Sequence, residues 1–345
     1  MPRLVIALAV LALGALPARA EVLLPPGFQT HVYVTGDGFE AGSRQGLSGI
    51  PASSTLALDH AGILYLARSG RRYTSAELED LWAIYRIPAG GARLTPRTEA
   101  RFLYGPPLPN PQIATIRGGR ELFVTTFDRD RKVGVLYQMR DGRAELIAGG
   151  TPERGTPAVL RQPEGAAVDA AGNLYVADRD QGAVLKLDPS GRVLEPHFLS
   201  LTRPRLLAID EQGYLWIGSD GTAEAPWQQG PGEIWRVSPG RAASLVLRGP
   251  MPAGMSVGPG GKLFVADRHA GKIFLVGPEG RPTELAGFTN GDTPRSLTFA
   301  PDTPETRRAG IAGDLFVVTV RRGAWPLNEI LRISGPFEEF ARSRP

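Results

Sequence analysis

PEGAAVDAAGNLYVADRDQGAVLKLDPSG, residues 163–191, decides the fold. Ala166–Val168 is a short apolar strand. Asp169-Ala-Ala-Gly172-Asn173 is a tight turn, in which an Asp side chain caps the backbone and a Gly takes positive φ. Leu174–Ala177 is a second strand, and Gly182–Leu187 is a third with apolar alternation. Asp188-Pro-Ser-Gly191 turns the chain again into an outer strand, Arg192–Leu199. Strands of this length, with a turn signal every 8–12 residues or so, specify an all-β fold.

The same unit recurs six times. Its second strands read ILYLAR (63–68), ELFVTT (121–126), NLYVAD (173–178), YLWIGS (214–219), KLFVAD (262–267) and DLFVVT (314–319). The marker leucines Leu64, Leu122, Leu174, Leu215, Leu263 and Leu315 are 58, 52, 41, 48 and 52 residues apart. Third strands follow at AIYRI (83–87), GVLYQM (134–139), EIWRV (233–237), KIFLV (272–276) and EILRI (329–333). A period near 50 residues is that of a β-propeller with one four-stranded blade per repeat, here six blades. The spacing predicts little helix beyond a capping box at Thr74–Glu77. Leu64, Phe123, Tyr175, Trp216, Phe264 and Phe316 are the expected core. Leucine and aromatic neighbours, pointing opposite ways, should line different layers between blades. A ring needs a closing strand. Gly27–Val34 (GFQTHVYV) is the expected one, completing the last blade, and Pro336–Ala341 (PFEEFA) is the rival.

The two clearest repeats, 163–191 and PAGMSVGPGGKLFVADRHAGKIFLVGPEG (252–280), resemble the NHL-repeat and SMP-30/gluconolactonase-like six-bladed propellers. LPPGFQTHVYV (24–34) resembles the first strand of quinone-dependent, sorbosone-dehydrogenase-like propellers. The resemblance covers the mature chain as architecture. It implies either a metal-dependent lactonase or hydrolase or, less directly, a quinone-dependent sugar oxidoreductase. In SMP-30-type hydrolases a divalent cation is held at the channel mouth by carboxylate and amide oxygens.

Composition narrows the function. Gly 43 and Pro 31 supply the turns, and 42% hydrophobic residues suffice for a core. The absence of Cys excludes disulfides, thiolate zinc, a cysteine nucleophile and c-type haem attachment. The four His (His31, His60, His197, His269) form no metal-binding pair by spacing. There is no P-loop, no dinucleotide-binding glycine motif and no G-x-S-x-G elbow. No cofactor is therefore expected. With a formal charge of +4 and no dense basic run, neither is nucleic acid.

Residues 1–20 read as a signal peptide. Arg3 precedes the apolar run Leu4–Leu16, and Ala18-Arg19-Ala20 is the cleavage motif. The run is short of the roughly 20 residues a membrane span requires. The expected mature protein is one propeller domain, 21–345, periplasmic or secreted, without a membrane span.

Insertions mark one rim: Ser69–Leu81, Gly149–Gln162, Asp220–Gly232 and Arg321–Asn328, against a single large one, Pro301–Ala312, on the other. Binding usually resides on such loops. Aligned on the same rim, the innermost strands begin at Ser54, Gln112, Glu164, Arg205, Ala253 and Arg295. Only Glu164 in this ring is a carboxylate. Arg205 and Arg295 oppose a cation and either grip a carboxylate or phosphate, with Glu164 orienting one of them, or plug the channel as an ion-pair network. The expected ligand set is Glu164, Arg205, Arg295, Gln112 and Ser54, for a small anionic ligand or a protein partner. Asp178 and Asp267 read as turn caps, and His269 as solvent-facing. Trp227 and Trp325 stand in rim loops, available for stacking or for packing.

Overall fold

The computed structural model describes residues 21–39, 48–51, 53–68, 81–128, 131–223, 228, 230–277, 279–320 and 327–343. Its strands form six antiparallel sheets, and the inner strands of neighbouring sheets pack in a closed cycle. This is the six-bladed propeller that the repeats predict. Blade 3 is typical, running outward through Pro163–Val168, Leu174–Asp178, Ala183–Leu187 and Val193–Ser200.

The second strands hold the blades together, because each presents one face to either neighbour. Leu174 and Val176 pack with Phe123 of blade 2. Tyr175 and Ala177 pack with Leu215 and Ile217 of blade 4. The rule runs round the ring. Leu122 meets Tyr65, Leu263 meets Trp216, Leu315 meets Phe264, and Leu64 meets Phe316. Leucines therefore face the preceding blade and aromatics the following one. In blade 1 the aromatic register belongs to Tyr65. Leu64 holds the leucine position, which corrects its place in the expected aromatic set.

The turns support these strands. Asp169 Oδ1 accepts the N–H groups of Ala171 and Asn173, both at 2.9 Å. Asp59 and Asp210 repeat the pattern. The second oxygen of Asp210 accepts Trp216 Nε1 at 2.9 Å, tying the turn to the buried aromatic of the strand it introduces.

The first strand of the chain closes the ring: Gln29–Gly36 pairs antiparallel with Asn328–Ser334 as the fourth strand of blade 6. The rival segment is helical instead. Phe337–Arg342 buries Phe337, Phe340 and Ala341, and Phe28 meets the two rings edge-on at 4.9 and 5.7 Å. Two blades depart from four strands. Val22–Leu23 extends blade 5, and Ala92–Leu94, from blade 1, lies parallel on the closing strand of blade 6. Besides the C-terminal helix, a short helix at Pro304–Arg308 occupies the insertion on the far rim. The capping box at Thr74–Glu77 lies outside the described residues, as do Trp227 and Trp325.

Phe264 sits between blades 5 and 6 with Phe299 at 4.9 Å and Phe337 at 6.0 Å. Phe264→Ala should lower stability by about 3–5 kcal/mol, whereas Leu146→Ala, on an exposed outer strand, should cost under about 0.5 kcal/mol. Denaturant unfolding of both variants checks the layer assignment.

Candidate functional site at the channel mouth

Inner strands begin on the rim where second strands end, since Pro163 pairs with Asp178, Pro204 with Ser219 and Pro252 with Asp267. In three blades a proline opens this pairing, Pro163, Pro204 and Pro252, while Pro111 stands just before the strand of blade 2 and Pro294 second in that of blade 6. Proline has no N–H for the ladder and suits a strand's first position. The residues that follow are Gln112, Glu164, Arg205, Ala253 and Arg295, with Ser54 after Ser53 in blade 1.

A cavity of ≈ 540 Å³, counted with its open mouth, lies on the ring's axis and is walled by all six inner strands. Of the expected ligand set, Gln112, Glu164 and Arg205 line it. The other three blades contribute the next residues along: Thr55, Gly254 and Ser296. Ser54 and Ala253 are buried beside the wall, and Arg295 is half-buried at its own blade's position. The inner strands crowd here: a Cβ on Gly165 would stand 2.6 Å from the Arg205 carbonyl oxygen.

Arg205 does not pair with Glu164 as expected. Its Nε donates to Asp220 Oδ1 at 2.8 Å, and Arg179 Nε donates to Asp220 Oδ2 at 2.9 Å. Arg205 also donates to the Pro252 carbonyl, and Arg179 to that of Ala223 at 3.3 Å. The Asp220 side chain is 0% exposed. It stands at the head of the blade 4 insertion, where Ala223 N–H closes a turn onto its carbonyl. Gly221 follows at φ 58°, and a Cβ there would meet the Pro231 carbonyl oxygen at 2.2 Å. The sequence flagged this loop but not its carboxylate. The available signal was an Asp at the loop's first position, beside an inner-strand Arg.

Glu164 is half-buried next to this triad. Its Oε1 accepts Gln162 Nε2 at 2.9 Å, and its carbonyl accepts Thr125 Oγ1 at 2.7 Å. Burial pushes its carboxyl above the ordinary range. Asp220 adds to the rise, while Arg205, Arg179 and the Gln162 bond oppose it. The mouth thus sets the guanidinium of Arg205 beside an acid disposed to keep its proton.

Asp178 and Asp267 act as caps. Asp178 takes the N–H groups of Arg161, Gln162 and Gln181, fixing the linker that carries Gln162. Asp267 takes those of His269 and Ala270. His269 is exposed, with Nε2 2.9 Å from the Gln228 carbonyl oxygen. Among the described residues, no three His, Cys, Asp or Glu are grouped to hold a metal, and no helix is long and apolar enough to cross a membrane.

The class defined so far is a six-bladed propeller with a charged, channel-centred pocket. No family model matches the chain, and no curated protein matches it in sequence. Solved structures match it in fold. A protein assigned as a gluconolactonase is 16% identical at a TM-score of 0.56, over 91% of this chain and 94% of that one. A glucose dehydrogenase is 14% identical at 0.53, over 89% and 100%. A luciferin-regenerating enzyme is 12% identical at 0.51, over 83% and 92%. The chain shares with these proteins the six-bladed propeller fold.

Asp220→Ala would leave two buried guanidiniums without their shared partner. A loss of about 3–5 kcal/mol is expected, measurable by denaturant unfolding. Glu164 has the opposite sign. Above the ordinary carboxylate pKa the unfolded chain releases a proton that the native state retains. Stability from this group is thus full at low pH and falls as pH rises through the raised native value. Glu164→Gln should flatten that fall, so thermal melts from pH 4 to pH 8 should converge on wild type at the acid end and exceed it at the other.

Proposed function

We propose that this propeller is a hydrolase of small lactones, working at the channel mouth with Glu164 as proton shuttle and Arg205 as the stabiliser of developing negative charge. The observation that carries the reading is the Glu164 carboxyl, pushed up by burial on the wall of a cavity that it shares with the Asp220-held guanidinium of Arg205. A carboxyl with a raised pKa is a stronger base once ionised and a ready acid once protonated. The likeness to gluconolactonase-type and other enzyme propellers agrees with a small-molecule reaction on this fold, as analogy only.

In this mechanism the Glu164 carboxylate takes a proton from water as the water oxygen attacks the lactone carbonyl carbon. The tetrahedral oxyanion forms in the positive field of Arg205. Collapse breaks the ring C–O bond, the leaving alkoxide recovers the proton from Glu164, and the hydroxy acid departs, its carboxyl proton passing to solvent. The divalent cation of SMP-30-type hydrolases does not fit these residues. Hard cations need several oxygen ligands, and the mouth offers one carboxylate of raised pKa next to guanidiniums. No step is routed through a metal. The leader in the sequence suits a protein working outside the cytoplasm.

The test is hydrolysis of D-glucono-δ-lactone and unsubstituted γ- and δ-lactones, in chelator, corrected for the spontaneous rate. Activity should rise with pH through a pKa above the usual carboxylate range, and Glu164→Gln should lower kcat by about 10²–10⁴-fold. Binding without turnover of any lactone would defeat the catalytic reading. The chain would then be a binding propeller for a small anion or a protein partner, as the rim loops and charged mouth also permit.

A further inference from the structure

Three polar side chains on the cavity wall are already engaged. Glu164 is bonded to Gln162, Arg205 to Asp220 and Pro252, and Thr55 Oγ1 accepts the Ile113 N–H at 2.6 Å. Gln112 and Ser296 differ. Gln112 is 3% exposed and Ser296 6%, both line the cavity, and neither side chain has a hydrogen-bond partner among the described residues. Buried polar groups are almost always paired, so unpaired ones that border a cavity mark where an absent molecule bonds. An amide presents a donor and an acceptor side by side, and a hydroxyl is both at once. The amide stands on blade 2, next to the charged arc of blades 3 and 4, and the serine hydroxyl on blade 6, across the axis from blade 3. The wall thus has an ionic sector for the reacting carbonyl and a neutral sector for whatever the ligand carries elsewhere.

We propose that Gln112, assisted by Ser296, is the specificity-determining residue of the mouth, selecting ligands that bear hydroxyl groups away from the carbonyl over those with a bare hydrocarbon chain. The inference rests on the lactonase reading for the orientation of the ligand, but its binding test does not require turnover. An amide held on a buried wall without a protein partner is a cost to folding. Its retention there opposes a purely structural role, for which leucine would serve better.

Calorimetric titration with D-gluconate and with pentanoate, neither of which is a hydrolysis substrate, reads the selection directly. Wild type should favour gluconate by at least about tenfold, the ordinary consequence of leaving a site's polar group unpaired. Gln112→Leu should abolish that preference while melting at or above the wild-type temperature. Gln112→Asn, which keeps an amide, should retain part of it. Unchanged preference in Gln112→Leu overturns the proposal. So does a lowered melting temperature with preference intact, and so does a wild type that binds both acids equally or neither. Hydroxyl-selective binding without lactone hydrolysis would sink the hydrolase reading and leave this assignment standing.

Discussion

Every blade of this protein is hydrophobic on both faces, and this constraint governs the rest. A second strand with Leu174 on one side and Tyr175 on the other can bury both only between two neighbours. No blade is a stable unit alone, and an open row of six would leave two apolar faces in water. The ring must close, and the closure is reinforced: Gln29–Gly36 completes blade 6, Ala92–Leu94 covers that strand's outer edge, and Phe28 locks against the C-terminal helix. The axial cavity is a by-product of this geometry, because six inner strands meet around an axis they cannot all occupy.

The chemistry of the mouth follows from where charge is placed on that frame. Asp220 fixes two arginines from different blades, so the guanidinium of Arg205 is set by a loop rather than by its own strand. Since Asp220 is spent on this pair, the neighbouring Glu164 answers mainly to its own desolvation. A fixed guanidinium and a proton-retaining carboxyl thus coexist side by side. Direct pairing of Glu164 with Arg205 would have produced a neutral, inert plug instead.

The architecture was legible because propeller blades repeat their punctuation. Asp-x-x-Gly turns and Leu–aromatic pairs recur at nearly fixed offsets, and the observed strands match them, Glu233–Val237 and Lys272–Val276 to the residue. The rim positions of Gln112, Glu164 and Arg205 were legible for the same reason, being fixed by register. What sequence could not supply was partner choice. Asp220 opens a rim insertion whose length and residues differ from blade to blade, so the repeat pattern carries no signal for it. PFEEFA resembles a strand in hydrophobicity, yet Phe337 and Phe340 are three apart, which is helical spacing. The fifth strands arise from segments outside the repeat and carry no periodic signal.

Closure by the first strand also has a consequence in time. Val32 pairs with Leu331, so the segment that leaves the ribosome early finds its hydrogen-bonding partner only when almost the whole polypeptide exists. Contacts between such distant positions make folding slow, because a long loop must be ordered before they form. Until then blades can stack in succession but the last apolar face stays open. Whatever handles the nascent polypeptide therefore meets a crescent rather than a disc.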